Sequence, residues 1–225
     1  ALRLEERAVV VRVSEKTPGA KGLPSEWAPG EYTIRAGTIV VAGGAVGSPA
    51  LLLRSRLAGL PHRVGEGFTC HPAHILVGEH ARPITNDVGH PKSFFLDRAV
   101  EEGFVLETCM YFPFTTAKNL AGFGAPHSTL MHAFPRLQMI LVLACDKAVE
   151  GNRVAIDSDG KPVVHYRFTP ETIDSLVRAT RASARIFFGA GALRVHAPSA
   201  DPPLLEADDA ARIDRRIDAR HFKTG

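Results

Sequence analysis

Gly43, Gly44 and Gly47 form a G-G-x-x-G turn directly after the apolar run Thr38 to Ala42 and before Ser48-Pro49 and Ala50-Leu51-Leu52-Leu53. Glycines let a backbone approach a ligand closely, and a helix N-terminus favours a phosphate or other anion. The spacing is not the dinucleotide fingerprint G-x-G-x-x-G. It serves two ends equally: a nucleotide turn, or tight strand–helix packing with no ligand.

The histidines make no metal site. His71, His74 and His80 lie near Glu79, but on a strand His71 and His74 point to opposite faces, and on a helix Pro72 interrupts them. No H-E-x-x-H or comparable ligand spacing occurs. His165 falls on the outward phase of a hairpin strand, while His196 and His221 have no local partner that suggests catalysis. There is no G-x-S-x-G elbow for a hydrolase, and Ser48 before Pro49 is explained by helix capping. Asp157 and Asp159 sit at a turn that favours Asp for backbone reasons.

The elements that must hold these residues read as follows. Ala8 to Val13, Tyr32 to Arg35 and Thr38 to Ala42 have strand composition, with Ile39-Val40-Val41-Ala42 apolar enough to be covered on both faces. Lys16 to Gly30, rich in Gly and Pro, is a loop or hairpin tip. Ser48 as N-cap and Pro49 at the first helical position open a helix.

Past Leu60, Phe104 to Phe112 alternates and Arg136 to Cys145 is a second long strand. Arg153 to Asp157 and Val163 to Phe168 flank Asp159-Gly160, a strong hairpin signal. Thr169-Pro170-Glu171 starts a helix that buries Ile173, Leu176, Val177, Thr180, Ala184, Phe187 and Phe188, wets Asp174, Arg178, Arg181 and Arg185, and ends at Gly189 and Gly191. The fold class is α/β in the first region, then α+β with an antiparallel sheet backed by helices.

The 225 residues, 45% hydrophobic and 23% charged, suffice for one large core or two small ones. Net charge is +3 with signs interspersed, which gives no basic stripe for nucleic acid. Apolar runs such as Met139 to Cys145 are far short of a membrane span. Cys70, Cys109 and Cys145 are an odd, widely spaced set, expected as reduced thiols in a reducing, cytoplasmic compartment. The chain opens at Ala1 in strand-like sequence and stops at Gly225 after a charged run. It is therefore expected to be an internal segment of a longer polypeptide.

Thr38 to Ser55 closely resembles the second signature of the glucose–methanol–choline (GMC) oxidoreductases, flavoproteins that use FAD. That signature is an apolar strand, then A-G-A-x-x-S-P, then apolar helix residues and S-G. Val64-Gly65-Glu66-Gly67-Phe68 to His71-Pro72 resembles the family's V-G-[KR]-N-L…H segment, and Gly151-Asn152-Arg153-Val154 through Tyr166 its substrate-domain hairpin. His71-Pro72 leans towards the long-chain alcohol oxidase branch. Arg56 replaces the usual Gly, and Gly67 stands where Asn is usual, which questions the loop path at both places.

The resemblance implies a partial FAD-binding, Rossmann-like domain over residues 1–63, a substrate-binding domain over 64–200, and a return segment over 201–225. It implies oxidation of an alcohol CH–OH group by hydride transfer to flavin. Ala42, Gly43, Gly44, Ala45, Ser48 and Pro49 would line the ADP side of FAD. The sheet of Phe104 to Phe112 and Leu137 to Cys145 would floor the substrate site. There Phe94, Phe95, Tyr111 and Phe112 suit an apolar alcohol, though core packing accounts for them equally.

The family's G-x-G-x-x-G and its H-x-M-G catalytic motif are absent, so the catalytic His is expected C-terminal to Gly225. His221-Phe222-Lys223-Thr224-Gly225 is only superficially alike, and a helix-end surface His explains His221. This chain alone is expected to be inactive, a catalytically incompetent fragment or a binding domain of the same fold. Its expected partners are a small-molecule alcohol and the remainder of the same polypeptide, with no nucleic acid and no metal.

Overall fold

The computed structural model describes residues 2–3, 7–13, 27–84, 90, 92–109, 112–197 and 205–222. Lys16 to Trp27 falls largely outside them. The chain forms two compact units, 1–69 with 147–167, and 70–146 with 168–225.

In the first unit, β1 (Leu2–Arg3), β2 (Ala8–Val13) and β3 (Gly30–Arg35) make an antiparallel sheet in the order β1-β2-β3. A helix, α1 (Gly44–Ser55), follows. The hairpin called for by Asp159-Gly160 forms later in the chain from β8 (Arg153–Ile156) and β9 (Pro162–His165), and it packs against α1. It thus joins the first unit, unlike a linear division at 63 and 200. Its anchors are backbone bonds from Val154 N–H to Gly65 O (2.8 Å) and from Phe68 N–H to Asn152 O (2.9 Å).

Thr38 to Ala42 is not a strand. No described residue pairs with it, and Val40 is 81% exposed. A short apolar run becomes a buried strand only where neighbouring strands satisfy its backbone and cover its side chains. The parallel, Rossmann-like arrangement is therefore not seen among the described residues, whose strand pairs are all antiparallel.

The second unit is a six-stranded antiparallel sheet in the order β11-β10-β4-β7-β6-β5. Its strands are β4 (Ala73–Glu79), β5 (Phe95–Arg98), β6 (Phe104–Cys109), β7 (Leu137–Ala144), β10 (Arg194–His196) and β11 (Leu205–Glu206). The sequence expectation of an antiparallel sheet backed by helices holds here. The longest helix, α4 (Pro170–Gly189), lies over β4, β6 and β7.

Thr169 caps α4 as its spacing predicts, its side chain accepting from Thr172 N–H. Leu76, Phe104, Val142, Leu176, Phe187 and Val195 form the core between α4 and the sheet. The opposite face buries Ile75, Val77, Leu137 and Met139 beside Leu130 and Met131 of α3 (Gly124–His132), with Thr116 of α2 (Pro113–Asn119) against the Met139 sulfur.

Residues 205–222 are part of this core rather than a separate return segment, with Ile213 and Ile217 each 2% exposed. Two arginines expected on the wet face of α4 hold them. Arg181 donates to the carbonyls of Asp214 (2.8 Å) and Ile217 (2.8 Å), and Arg185 binds the Asp214 carboxylate in two bonds of 2.6 and 2.7 Å. Among the described residues no helix is long and apolar enough to cross a membrane.

Candidate functional site

The glycine turn departs from the capping geometry read from sequence. The helix α1 begins at Gly44, with Gly43 at the N-cap, and Pro49 lies inside it. Ser48 is therefore no N-cap; its Oγ accepts the N–H of Gly43 across 2.9 Å and closes the turn from within. Gly44 takes φ +71, a left-handed conformation that glycine adopts without a Cβ penalty.

Ala42 to Ala45 are exposed, whereas Ser48 and Pro49 are half-buried. A Cβ built on Gly44 or Gly47 meets nothing within 4 Å, while one on Gly43 would press on the backbone of Gly47 and Ser48. The turn is open to a ligand on the outside and tight on the inside. The unpaired N–H groups of the first turn of a helix suit an anionic group there.

The two residues that depart from the resembled pattern both take left-handed backbone conformations. Arg56 ends α1 in the left-handed conformation (φ 48, ψ 44) that a glycine would take freely. Gly67, at φ +71, occupies the region where Asn is the best tolerated substitute for Gly. Nearby, Gly65 is required twice over, by φ +90 and because a Cβ would strike the carbonyl oxygen of Val154.

Phe95 on β5, Phe94 just before it and Phe112 at the start of α2 are 73%, 75% and 71% exposed. Core packing therefore does not explain these three, and Tyr111 lies outside the described residues. His71 and His165 are exposed. His74 Nε2 lies 3.0 Å from Thr180 Oγ1, and burial pushes the imidazole down to about 4.

His196 has a partner that its sequence neighbourhood hides. Its Nε2 lies 3.2 Å from Oε2 of the buried Glu79, which Arg136 and Arg194 also approach at 3.5 Å each. Burial lowers the His196 pKa, and the Glu79 carboxylate opposes that shift. His80 is buried next to Glu79, and among the described residues its Nε2 has no hydrogen-bond partner. His221 sits over Asp218, its Nδ1 3.0 Å from the Asp218 carbonyl oxygen. Among the described residues no group of three or more His, Cys, Asp or Glu could hold a metal ion.

No protein-family profile matches the chain. It is similar to two uncharacterized GMC-type oxidoreductases of Mycobacterium tuberculosis, from strains CDC 1551 / Oshkosh and ATCC 25618 / H37Rv. Identity to each is 30% over 194 residues, which cover 83% of this chain and 29% of the relative. The chain thus matches less than a third of the length of either relative. The similarity supports a relationship of this chain to the GMC family.

Proposed function

We propose that this chain is part of an FAD-dependent alcohol oxidase or dehydrogenase of the GMC type, one that oxidises a CH–OH group. The observation that carries the reading is the similarity to GMC-type oxidoreductases over 83% of the chain. The exposed turn at Ala42 to Ala45, with open space at Gly44 and Gly47, supports the cofactor assignment because it leaves the backbone free for close approach.

When bound, FAD would accept the hydride from the alcohol carbon. Ala42, Gly43, Gly44, Ala45, Ser48 and Pro49 would hold its nucleotide side. Backbone N–H groups at the start of α1 would meet negative charge, and Ser48 would keep the turn in shape. The antiparallel sheet would bound the substrate, with Phe94, Phe95 and Phe112 giving an apolar surface suited to a long-chain alcohol. No residue of this chain is assigned as the base that takes the hydroxyl proton. The odd, widely spaced set Cys70, Cys109 and Cys145 fits a cytoplasmic setting.

The test uses the protein purified from its native source. Flavin absorbance that bleaches anaerobically on addition of a primary alcohol is the expected result. A protein without flavin bands, or with a flavin that no alcohol reduces, overturns the proposal.

A further inference from the structure

The strand β5 is the last in the order β11-β10-β4-β7-β6-β5, so no described strand lies along its outer side. All of its residues are exposed. Successive residues of a strand turn their N–H and C=O groups to alternate sides. Thr108 N–H donates to the Phe94 carbonyl and Glu102 N–H to the Arg98 carbonyl, each at 2.9 Å. The even-numbered residues therefore face β6 and its turn, and Phe95 and Asp97 present their backbone groups to the open side. Such an edge is a template for another strand. Proline, which blunts many edges, is absent from Phe94 to Arg98.

A second copy of the chain fits this edge in one register. With outward groups at 95 and 97, an antiparallel partner must set odd residue against odd. Asp97 against Asp97 would put like charges directly opposite each other. Phe95 against Phe95 would bring Lys92 towards Arg98 of the second copy, again like with like. Phe95 against Asp97 of the second copy avoids both. Leu96 then meets its own copy on the two-fold axis, and Arg98 meets Phe94 of the second copy. These are positions without ladder hydrogen bonds, where side chains come closest. Arg98 Nε lies 3.7 Å from Glu102 Oε1, too far for a hydrogen bond. A guanidinium against a phenyl ring is a cation–π contact, and symmetry makes it twice.

We infer that β5 pairs antiparallel with β5 of a second copy, joining two six-stranded sheets across a two-fold axis. The contact is the same surface on both sides, so it closes at two copies. Phe94 to Arg98 is a small contact beside the roughly 20–30 residues a side of a standard interface, so the dimer dissociates on dilution. Phe94 is taken up by the second copy, and Phe95 and Phe112 stay on the surface proposed for the alcohol. The inference does not rest on the flavin reading.

The test is sedimentation velocity of the purified protein across a dilution series. A monomer–dimer equilibrium with no larger species is expected. Phe94→Lys, which sets a cation against Arg98 of the second copy, should weaken the dimer about tenfold, whereas Phe94→Glu should keep it. Asp97→Pro, which removes an outward N–H and no bond to β6, should leave a monomer. Leu96→Cys should cross-link the dimer under mild oxidation, because only this register puts residue 96 on the axis, and Val100→Cys should not. A monomer at every concentration, equal weakening by Lys and Glu at 94, or no cross-link at Leu96→Cys overturns the inference. If Asp97→Pro fails to fold, the exposed position 94 and the unaltered protein still decide it.

Discussion

The ring of Phe187 on α4 fills the space that a side chain at Gly78 on β4 would need. Phe187 is 1% exposed and Gly78 pairs with Val195 and Gln138 in the sheet centre, so neither the ring nor the strand has room to give. The helix approaches the sheet closely because this one position is bare. Gly78→Ala is expected to destabilise the second unit by about 1–3 kcal/mol through overpacking. Urea denaturation checks it, and an unchanged midpoint would show that α4 can slide.

Arg56 pays a conformational penalty at the end of α1 that a glycine avoids. Arg56→Gly is expected to raise stability by about 0.5–1 kcal/mol, the relief of a left-handed residue less the extra freedom of glycine in the unfolded chain. A rise in the thermal midpoint is the readout. Lys or Gln at the same place should give no such rise.

Ser48 acts as a brace. Removing the acceptor for the Gly43 N–H by Ser48→Ala is expected to cost about 0.5–1.5 kcal/mol. If the turn holds FAD, the same change should lower flavin retention in the purified protein, while Ser48→Thr keeps most of it. Loss of stability with full flavin retention would separate the brace from the cofactor.

His74 makes stability depend on pH. Its folded pKa is about 4 because burial disfavours the charged form, against 6.5 for the exposed group. Above 6.5 the imidazole is neutral in both states, so the folded protein carries its full stability. Between 6.5 and 4 the unfolded chain binds a proton that the folded one does not, and stability falls as pH drops. Below 4 both states are protonated and this loss levels off. The total is up to about 3 kcal/mol. Denaturation from pH 7.5 to 4 should show the slope, and His74→Gln should flatten it.

Several features could be read from local sequence because they are local physics. Thr169 accepts from Thr172 N–H three residues on, and Asp157 to Lys161 closes a turn whose Gly160 takes φ +75. The strand at Leu137–Ala144 is long enough that its pairing partners mattered little to its detection. Thr38 to Ala42 failed for the opposite reason, since an apolar run becomes a strand only if another strand lies beside it. The pairing of Glu79 with His196 spans 117 positions and exists because β10 lies next to β4. No local spacing announces it. The glycine turn at Gly43 to Ser48 is legible from its composition, but capping chemistry puts the start of α1 at Pro49 where the structure has it at Gly44. Pro49 marks where the helix tolerates a missing N–H, not where it begins.

The interleaving of the two units has a consequence for synthesis. The chain passes from residues 1–69 to 70–146, back to 147–167, and on to 168–225. The first unit therefore lacks the hairpin under α1 until residue 167 has emerged, by which time β4, β6 and β7 are already outside the ribosome without α4 over them. For that interval an apolar sheet face waits uncovered, which makes the nascent chain a natural client for a chaperone that binds exposed hydrophobic strands.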